Sequence, residues 1–233
     1  MEGKYKEIPF LKGITTVYPM PTQEELTKLY SGVLSARKNL ARKRKYDYIF
    51  KGISGKVKVL DVGCADGNFI KEAKIRGFDA YGFELVSGGD FNGKLEDINQ
   101  KFDAIRLGDV LEHTADPLKM IEDCYNLLNK NGMLVISLPN MNCLFVKILK
   151  FLKIKPSYFI PPYHLFYFTD YGLVDMLKHF KVQEIKYFQN SLRHELAVIS
   201  AKRYPLLGVL YVFIYFISLI NPRYKMIIFA TKV

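Results

Sequence analysis

Short apolar runs alternate with amphipathic stretches along this chain, the pattern of strands that alternate with helices. Val57, Val59, Leu60 and Val62 form one such run, broken by Asp61 and closed by Gly63, and it reads as a buried strand. Phe69-Ile70 then opens a helical pattern over roughly 68–76, with Gly77 as its C-cap glycine. A second apolar strand, Ala80–Phe83, closes on Glu84. Phe102–Leu107 reads as a further strand, and Asp116-Pro117 supplies an N-cap and a first-turn proline for a helix from Leu118 to Leu128. After a turn at Asn131-Gly132, Met133–Leu138 is the next strand, stopped by Pro139-Asn140. Thr169 caps a helix over 170–180, Val182–Phe188 is a strand, and Tyr224–Lys232 is the last strand. The alternation predicts an α/β fold with a mostly parallel sheet and right-handed crossovers.

Four stretches depart from this rhythm. Residues 1–22 carry Pro9, Pro19 and Pro21 and read as an irregular arm, and 1–50 as a whole form a cap ahead of the first strand of the sheet. Thr22 and Glu25 have capping-box spacing, so a helix is expected from there to about Tyr30. Residues 85–101 are short, with turn signals at Ser87–Asp90 and Asn92-Gly93. The helix after the second strand is therefore expected to be shortened or absent, with 94–98 a strand stub or the loop beyond it. Residues 141–162 form an insertion. On a helical wheel over 144–155, Leu144, Phe145, Ile148, Leu149, Phe151 and Leu152 share one face and Lys147, Lys150 and Lys153 the other. This is a lid helix or a membrane-facing one. Residues 205–221 contain no charge, and 206–220 as a helix would reach ~22 Å against ~30 Å of hydrocarbon. A helix packed partly on the fold, and partly against a membrane, a second subunit or a greasy substrate, is expected there.

Composition adds a partner class. A chain of 233 residues with 49% hydrophobic content is expected to form a single domain. Three cysteines without CxxC or metal spacing, and no signal peptide, point to the reducing cytoplasm. A net charge of +11 admits an anionic partner, either nucleic acid or a membrane surface. Arg37, Lys38, Arg42, Lys43, Arg44 and Lys45 form a basic helix face, which reads as solvated surface or a phosphate dock. Without a zinc knuckle, RNA-recognition signature or stacking platform beside it, nucleic acid is disfavoured.

Candidate chemistry begins at the turn after the first strand of the sheet. A glycine turn between strand and helix lets a ligand approach the backbone and meet unpaired N–H groups. A dinucleotide fingerprint would need glycines where this chain has Ala65 and Asn68. Asp61 suits a ligand that carries positive charge, and Glu84 can accept both ribose hydroxyls. Three segments occur in order: Val59-Leu60-Asp61-Val62-Gly63-Cys64-Ala65-Asp66-Gly67, then Tyr81-Gly82-Phe83-Glu84, then Asp109-Val110-Leu111-Glu112-His113-Thr114-Ala115-Asp116-Pro117. Together they resemble the class I S-adenosylmethionine (SAM)-dependent methyltransferases, in particular the group with ubiquinone-pathway and cell-surface glycan enzymes.

That resemblance implies a Rossmann-like sheet whose last strand inserts antiparallel, and SAM as the cofactor. It implies that Asp61, Gly63 and Gly67 hold the methionine part and sugar, Glu84 the ribose, and Asp97 the adenine. Cys64, Ala65, Asp66, Leu85, Leu107 and Asp109 are the further cofactor-binding candidates that it implies. A segment before the first strand folds over the cofactor in this family, with Tyr30 as the contact or as an edge-packing aromatic. The His164-Leu165…Phe168-Thr169 stretch lines the acceptor pocket, and His164 or His113 is the candidate general base. No metal is assigned, although Asp109, Glu112 and His113 match a divalent-metal pattern of a ubiquinone-pathway relative. Helix bracing is the alternative for Glu112 and His113, and a satisfied core histidine for His164. Three functions stay open: a methyltransferase on a lipid-linked, isoprenoid or glycan acceptor at a membrane surface, one on a soluble small molecule, and a binding module without catalysis. An oligomer through 206–220 is a further expectation.

Overall fold

The computed structural model describes residues 5–22, 24–26, 28, 41–55, 57–85, 88–153, 159–188, 209, 212–213, 216–217, 219–220 and 223–233. Its frame is a seven-stranded sheet built from β3 (Lys58–Val62), β4 (Asp79–Glu84), β5 (Phe91–Asn92), β6 (Phe102–Gly108), β7 (Leu128–Pro139), β9 (Phe180–Phe188) and β10 (Lys225–Lys232). The strand order is β5-β4-β3-β6-β7-β10-β9. Strands β3 to β7 pair in parallel, while β10 runs antiparallel between β7 and β9. This is the Rossmann-like order expected above, antiparallel insertion included. The chain leaves β3 toward β4 and β5, then returns to β6 on the other side. The carboxyl ends of β3 and β6 are therefore the switch point, where open α/β sheets bind ligands.

Both faces of the sheet are covered because its strands are apolar on both sides. On one face α1 (Ala41–Gly52) and α2 (Asn68–Ile75) bury Ile49, Phe50, Phe69 and Ala73 against Val59, Ala104 and Val135. The Phe50 and Phe69 rings stack at 4.8 Å and lock the two helices together. On the other face lie α3 (Pro117–Leu127), α4 (Leu144–Phe151) and α5 (Asp170–Met176), over Leu60, Val62, Ile105 and Leu107.

The capping residues read from the sequence act as expected. Asp116 accepts from Lys119 N–H ahead of Pro117, Thr169 accepts from Gly172 N–H, and Thr22 and Glu25 bond each other's backbone N–H. Gly77 follows α2 with φ of 85°. Between Glu84 and Lys101 the described residues hold only the β5 stub and one 3₁₀ turn, Leu95–Asp97. Segment 94–98 is thus the loop beyond the strand stub.

Several boundaries differ. The N-terminal arm is not irregular: β1 (Lys6–Leu11) and β2 (Ile14–Tyr18) form a hairpin, and β8 (Phe166–Phe168) pairs with β2 to complete a separate three-stranded sheet. Pro9 is tolerated because β1 is an edge strand with a register shift beside it. Strand β7 starts at Leu128, so Asn131, with φ of 61°, is an irregularity within the strand rather than a turn before it. Helix α5 stops at Met176, since β9 already begins at Phe180. Helix α4 ends at Phe151 and buries Phe145, Val146 and Leu149. Its buried face is rotated from the one read on the wheel and leaves Phe151 86% exposed. Tyr30, the basic run up to the Arg44 side chain, residues 154–155 and most of 206–220 lie outside the described residues. No helix among the described residues is long and apolar enough to cross a membrane.

Asp103, near the start of β6, accepts from Val57 N–H and Lys58 N–H at 3.2 and 2.9 Å and from Asn129 Nδ2 at 2.8 Å. It ties three neighbouring strands at their amino ends, away from the switch point. Asp103→Ala is expected to lower stability by about 1–3 kcal/mol, read as a lower urea midpoint. An unchanged midpoint would show that these bonds are exchanged for water without loss.

Candidate functional site at the switch point

Three groups of residues meet at the carboxyl ends of β3, β4 and β6. The first is the turn between β3 and α2. Gly63, Ala65 and Gly67 all have positive φ, at 70°, 47° and 67°. Gly63 N–H donates to Phe83 O, and a Cβ there would sit 2.5 Å from Val110 Cγ2. Glycine is required by both conformation and space. Ala65 adopts the left-handed region at a cost of roughly 1–2 kcal/mol, and its N–H is held by Glu84 Oε1 at 2.5 Å. Asp66 accepts from Asn68 on the exposed side of the turn, while the Cys64 side chain is buried against Gly82. Glu84 stays half-buried at the end of β4, Leu85 is exposed beyond it, and Asp97 is exposed at the end of its 3₁₀ turn. Leu107, by contrast, is wholly buried inside β6, so its side chain packs the core and faces no ligand.

The second group is a chain of charges. Asp61 is buried and ion-paired with Arg106 Nη1 from the adjacent strand. The guanidinium also lies over the Phe69 ring at 4.5 Å. Burial pushes the Asp61 carboxyl up, and Arg106 opposes that shift. Gly108 has no Cβ because Arg106 Nη2 occupies that space. Asp109, with φ of 59°, bonds Lys225 Nζ at 2.8 Å and Lys45 Nζ at 3.3 Å. Burial alone would raise its pKa, but the two lysines hold it well below the ordinary carboxylate range. Lys45 itself is pushed down to about 8 by burial, against the pull of Asp109. Lys45 is therefore no part of a solvated basic face. Its run of neighbouring cations hid it, whereas Arg106 was visible as a charge inside an apolar strand.

The third group is Glu112, His113 and His164. Glu112 and His113 sit in a 3₁₀ turn, Leu111–His113, whose Glu112 O accepts from Leu165 N–H. His113 Nδ1 donates to Tyr163 O at 2.6 Å, since the carbonyl can only accept. The His113 and His164 rings lie 4.7 Å apart, edge to face. One donor atom from each of the three residues lies within 4.8 Å of the others. Glu112 is 98% buried, Oε2 has no hydrogen-bond partner, and burial raises its pKa. Glu112 and His164 border a small void with room for about one water, lined also by Pro139, Met141, Phe166, Tyr167 and Phe168. The trio brings in His164, which lies 51 residues beyond His113, and leaves out Asp109, which its lysines occupy. Two imidazoles and a carboxylate suit a divalent cation of the zinc or manganese kind. Donors on such an ion sit no more than ~4.2 Å apart, so the side chains would draw in by a few tenths of an ångström.

A parallel sheet with an antiparallel insertion and a glycine turn backed by an acid at the switch point define the Rossmann-like, nucleotide-binding class of fold. Residues 25–193 match the methyltransferase domain family, and the chain belongs to it. The chain is 27% identical over 113 residues to a ubiquinone biosynthesis O-methyltransferase of Psychrobacter cryohalolentis, a match covering 39% of this chain and 44% of that protein. The chain thus spans less than half the length of that relative. A SAM-dependent methyltransferase from Archaeoglobus fulgidus superposes with a TM-score of 0.57 at 19% identity, over 88% of this chain and 99% of that one. The N-methyltransferase NodS of Bradyrhizobium japonicum, solved with S-adenosylhomocysteine, superposes with a TM-score of 0.57 at 10% identity, over 89% and 98%. The cofactor that goes with this family is SAM.

Asp109→Asn leaves Lys45 and Lys225 facing each other beside Arg106. It is expected to destabilise the protein at neutral pH by about 1–3 kcal/mol. Because the folded Asp109 pKa is depressed, its stabilisation is present above the unfolded value of about 3.9 and fades as pH falls through the folded value. In urea titrations the gap between wild type and variant should narrow below about pH 4. A gap independent of pH would place its origin elsewhere.

Proposed function

We propose that the protein transfers the sulfonium methyl of SAM to an oxygen of a small or lipid-linked acceptor that approaches the His113–His164 pair. The observation that carries this reading is the Glu112–His113–His164 cluster, which gathers just beyond the carboxyl end of β6 and ahead of β8. In this reading the backbone of Gly63, Cys64, Ala65, Asp66 and Gly67 cradles the methionine part of the cofactor. Glu84 exchanges its bond to Ala65 N–H for the ribose hydroxyls, and Leu85 and Asp97 flank the adenine. Asp61 acts through Arg106, as a positioning pair beneath the turn, and Asp109 acts with Lys45 and Lys225 at the methionine end. Leu107 serves through its backbone alone.

The protein's main task in methyl transfer is to align acceptor, methyl and sulfur, since the cofactor carries its own leaving group. When bound, SAM would supply the methyl together with its own thioether leaving group, so the chain's residues would have only the acceptor proton to remove. The acceptor hydroxyl proton passes to His164, with Glu112 and His113 holding that imidazole's surroundings. A raised carboxyl pKa at Glu112 suits it to take the proton onward. The buried, unpartnered Glu112 Oε2 favours a second reading, in which the same trio holds a divalent cation. A cation there would lower the pKa of the acceptor hydroxyl.

Incubation with isotopically labelled SAM and hydroxylated acceptors, soluble and lipid-linked, followed by mass spectrometry, tests the proposal. His164→Ala is expected to lower kcat by about 10²–10⁴-fold while leaving SAM affinity in calorimetric titration unchanged. Glu84→Ala should instead weaken SAM binding by about 1–3 kcal/mol. No SAM binding by the wild type would leave a binding module without catalysis. Loss of activity in a chelator, restored by zinc or manganese, would select the metal reading over the direct base.

A further inference from the structure

We infer that the edge of the N-terminal hairpin, together with the carboxyl end of α4, docks the protein on an anionic lipid surface. Strand β1, the end of β2 and the residues just beyond it expose Ile8, Phe10, Leu11, Tyr18 and Met20, each 38% or more accessible. Five exposed large apolar side chains within thirteen residues are more than a water-facing hairpin needs. The Lys150 ammonium bonds Glu7 at 2.9 Å, which sets the end of α4 beside β1. There Phe151 and Leu152 add exposed apolar surface.

Two observations select the occupant. First, β1 is an edge strand, and such edges commonly receive a strand from another chain. Here Pro9 and the register shift between Pro9 and Leu11 interrupt the ladder, so strand addition by a peptide or a second copy is disfavoured. A fluid apolar surface needs no ladder. Second, the charge is one-sided. Among the described residues of 5–22 and 141–163 the exposed charges are Lys6, Lys12, Lys147, Lys150 and Lys153. The one acid, Glu7, is taken by Lys150 and by the Thr15 hydroxyl. Exposed apolar side chains together with exposed lysines fit an acyl layer under anionic headgroups.

The position suits the site. Strand β2 pairs with β8, and the Phe10 ring packs edge-on against Phe166 at 5.0 Å. Phe166 in turn borders the small void beside His164. A molecule carried in the bilayer would thus approach the histidine pair from the docked edge. The docking inference does not depend on the acceptor, because vesicle binding is read without any methyl transfer.

The test is co-sedimentation of the full chain with vesicles of phosphatidylcholine alone and of phosphatidylcholine with phosphatidylglycerol, at low and high salt. The wild type is expected to sediment with the anionic vesicles at low salt and to be released by high salt. Replacing Lys12, Lys147 and Lys153 together by Gln should weaken binding roughly fivefold per lysine. Phe151→Ser, on a side chain that packs nothing, should weaken it further while leaving the urea midpoint and SAM affinity unchanged. No binding to anionic vesicles at low salt would overturn the inference. So would equal binding by wild type and both variants, which would move the contact to another surface such as 206–220. A dimer in solution that Phe151→Ser dissociates would also overturn it, because the patch would then belong to a second copy.

Discussion

A guanidinium buried inside a parallel sheet must find its counter-charge within reach, and here the partner is Asp61 on the neighbouring strand. Leaving either charge alone would cost several kcal/mol, so the pair constrains everything around it. Gly108 must lack a side chain to make room for Arg106. The chain then turns through Asp109 in a left-handed conformation, which places its carboxylate between Lys45 and Lys225. Those two lysines come from α1 and β10, far apart in sequence. The pair therefore organises contributions from four elements at the switch point, beside the glycine turn that follows β3.

The same arrangement separates two chemistries that share one loop. Asp109 is held ionised by its lysines, while burial raises the pKa of Glu112, three residues on, against the pull of His113 and Lys225. Divergent environments for neighbouring carboxylates are a common basis for assigning distinct roles. Asp109 stays with its two lysines, and Glu112 lies beside His113 and His164.

Residues 85–101 show how little of the sheet's flank the site needs. The loss of a full helix there leaves β5 as a two-residue stub. The fold holds because Leu95 and Ile98 are buried in the core and Glu96 is tied to Lys119 at the start of α3. The loop thus keeps its place beside Glu84 without a helix to carry it.

Local signals determined much of this protein. Strand and helix order, the caps at Thr22, Asp116 and Thr169, the glycine turn at 63–67 and Glu84 at a strand end were all readable. Each depends on residues within a few positions of one another. The misread segments were those whose state depends on distant partners. The arm at 5–18 became a hairpin because β8, about 150 residues later, offers it an edge, and no periodicity in the arm announces that. The buried face of α4 was set by where the core lies rather than by the wheel's largest apolar arc. Lys45 looked like one more surface cation until Asp109 was placed beside it. His164 joined Glu112 and His113 only when β8 ran past the turn after β6. Short-range propensity writes the elements into the sequence, whereas pairing of charges, edges and imidazoles across long separations exists only once the chain has closed on itself.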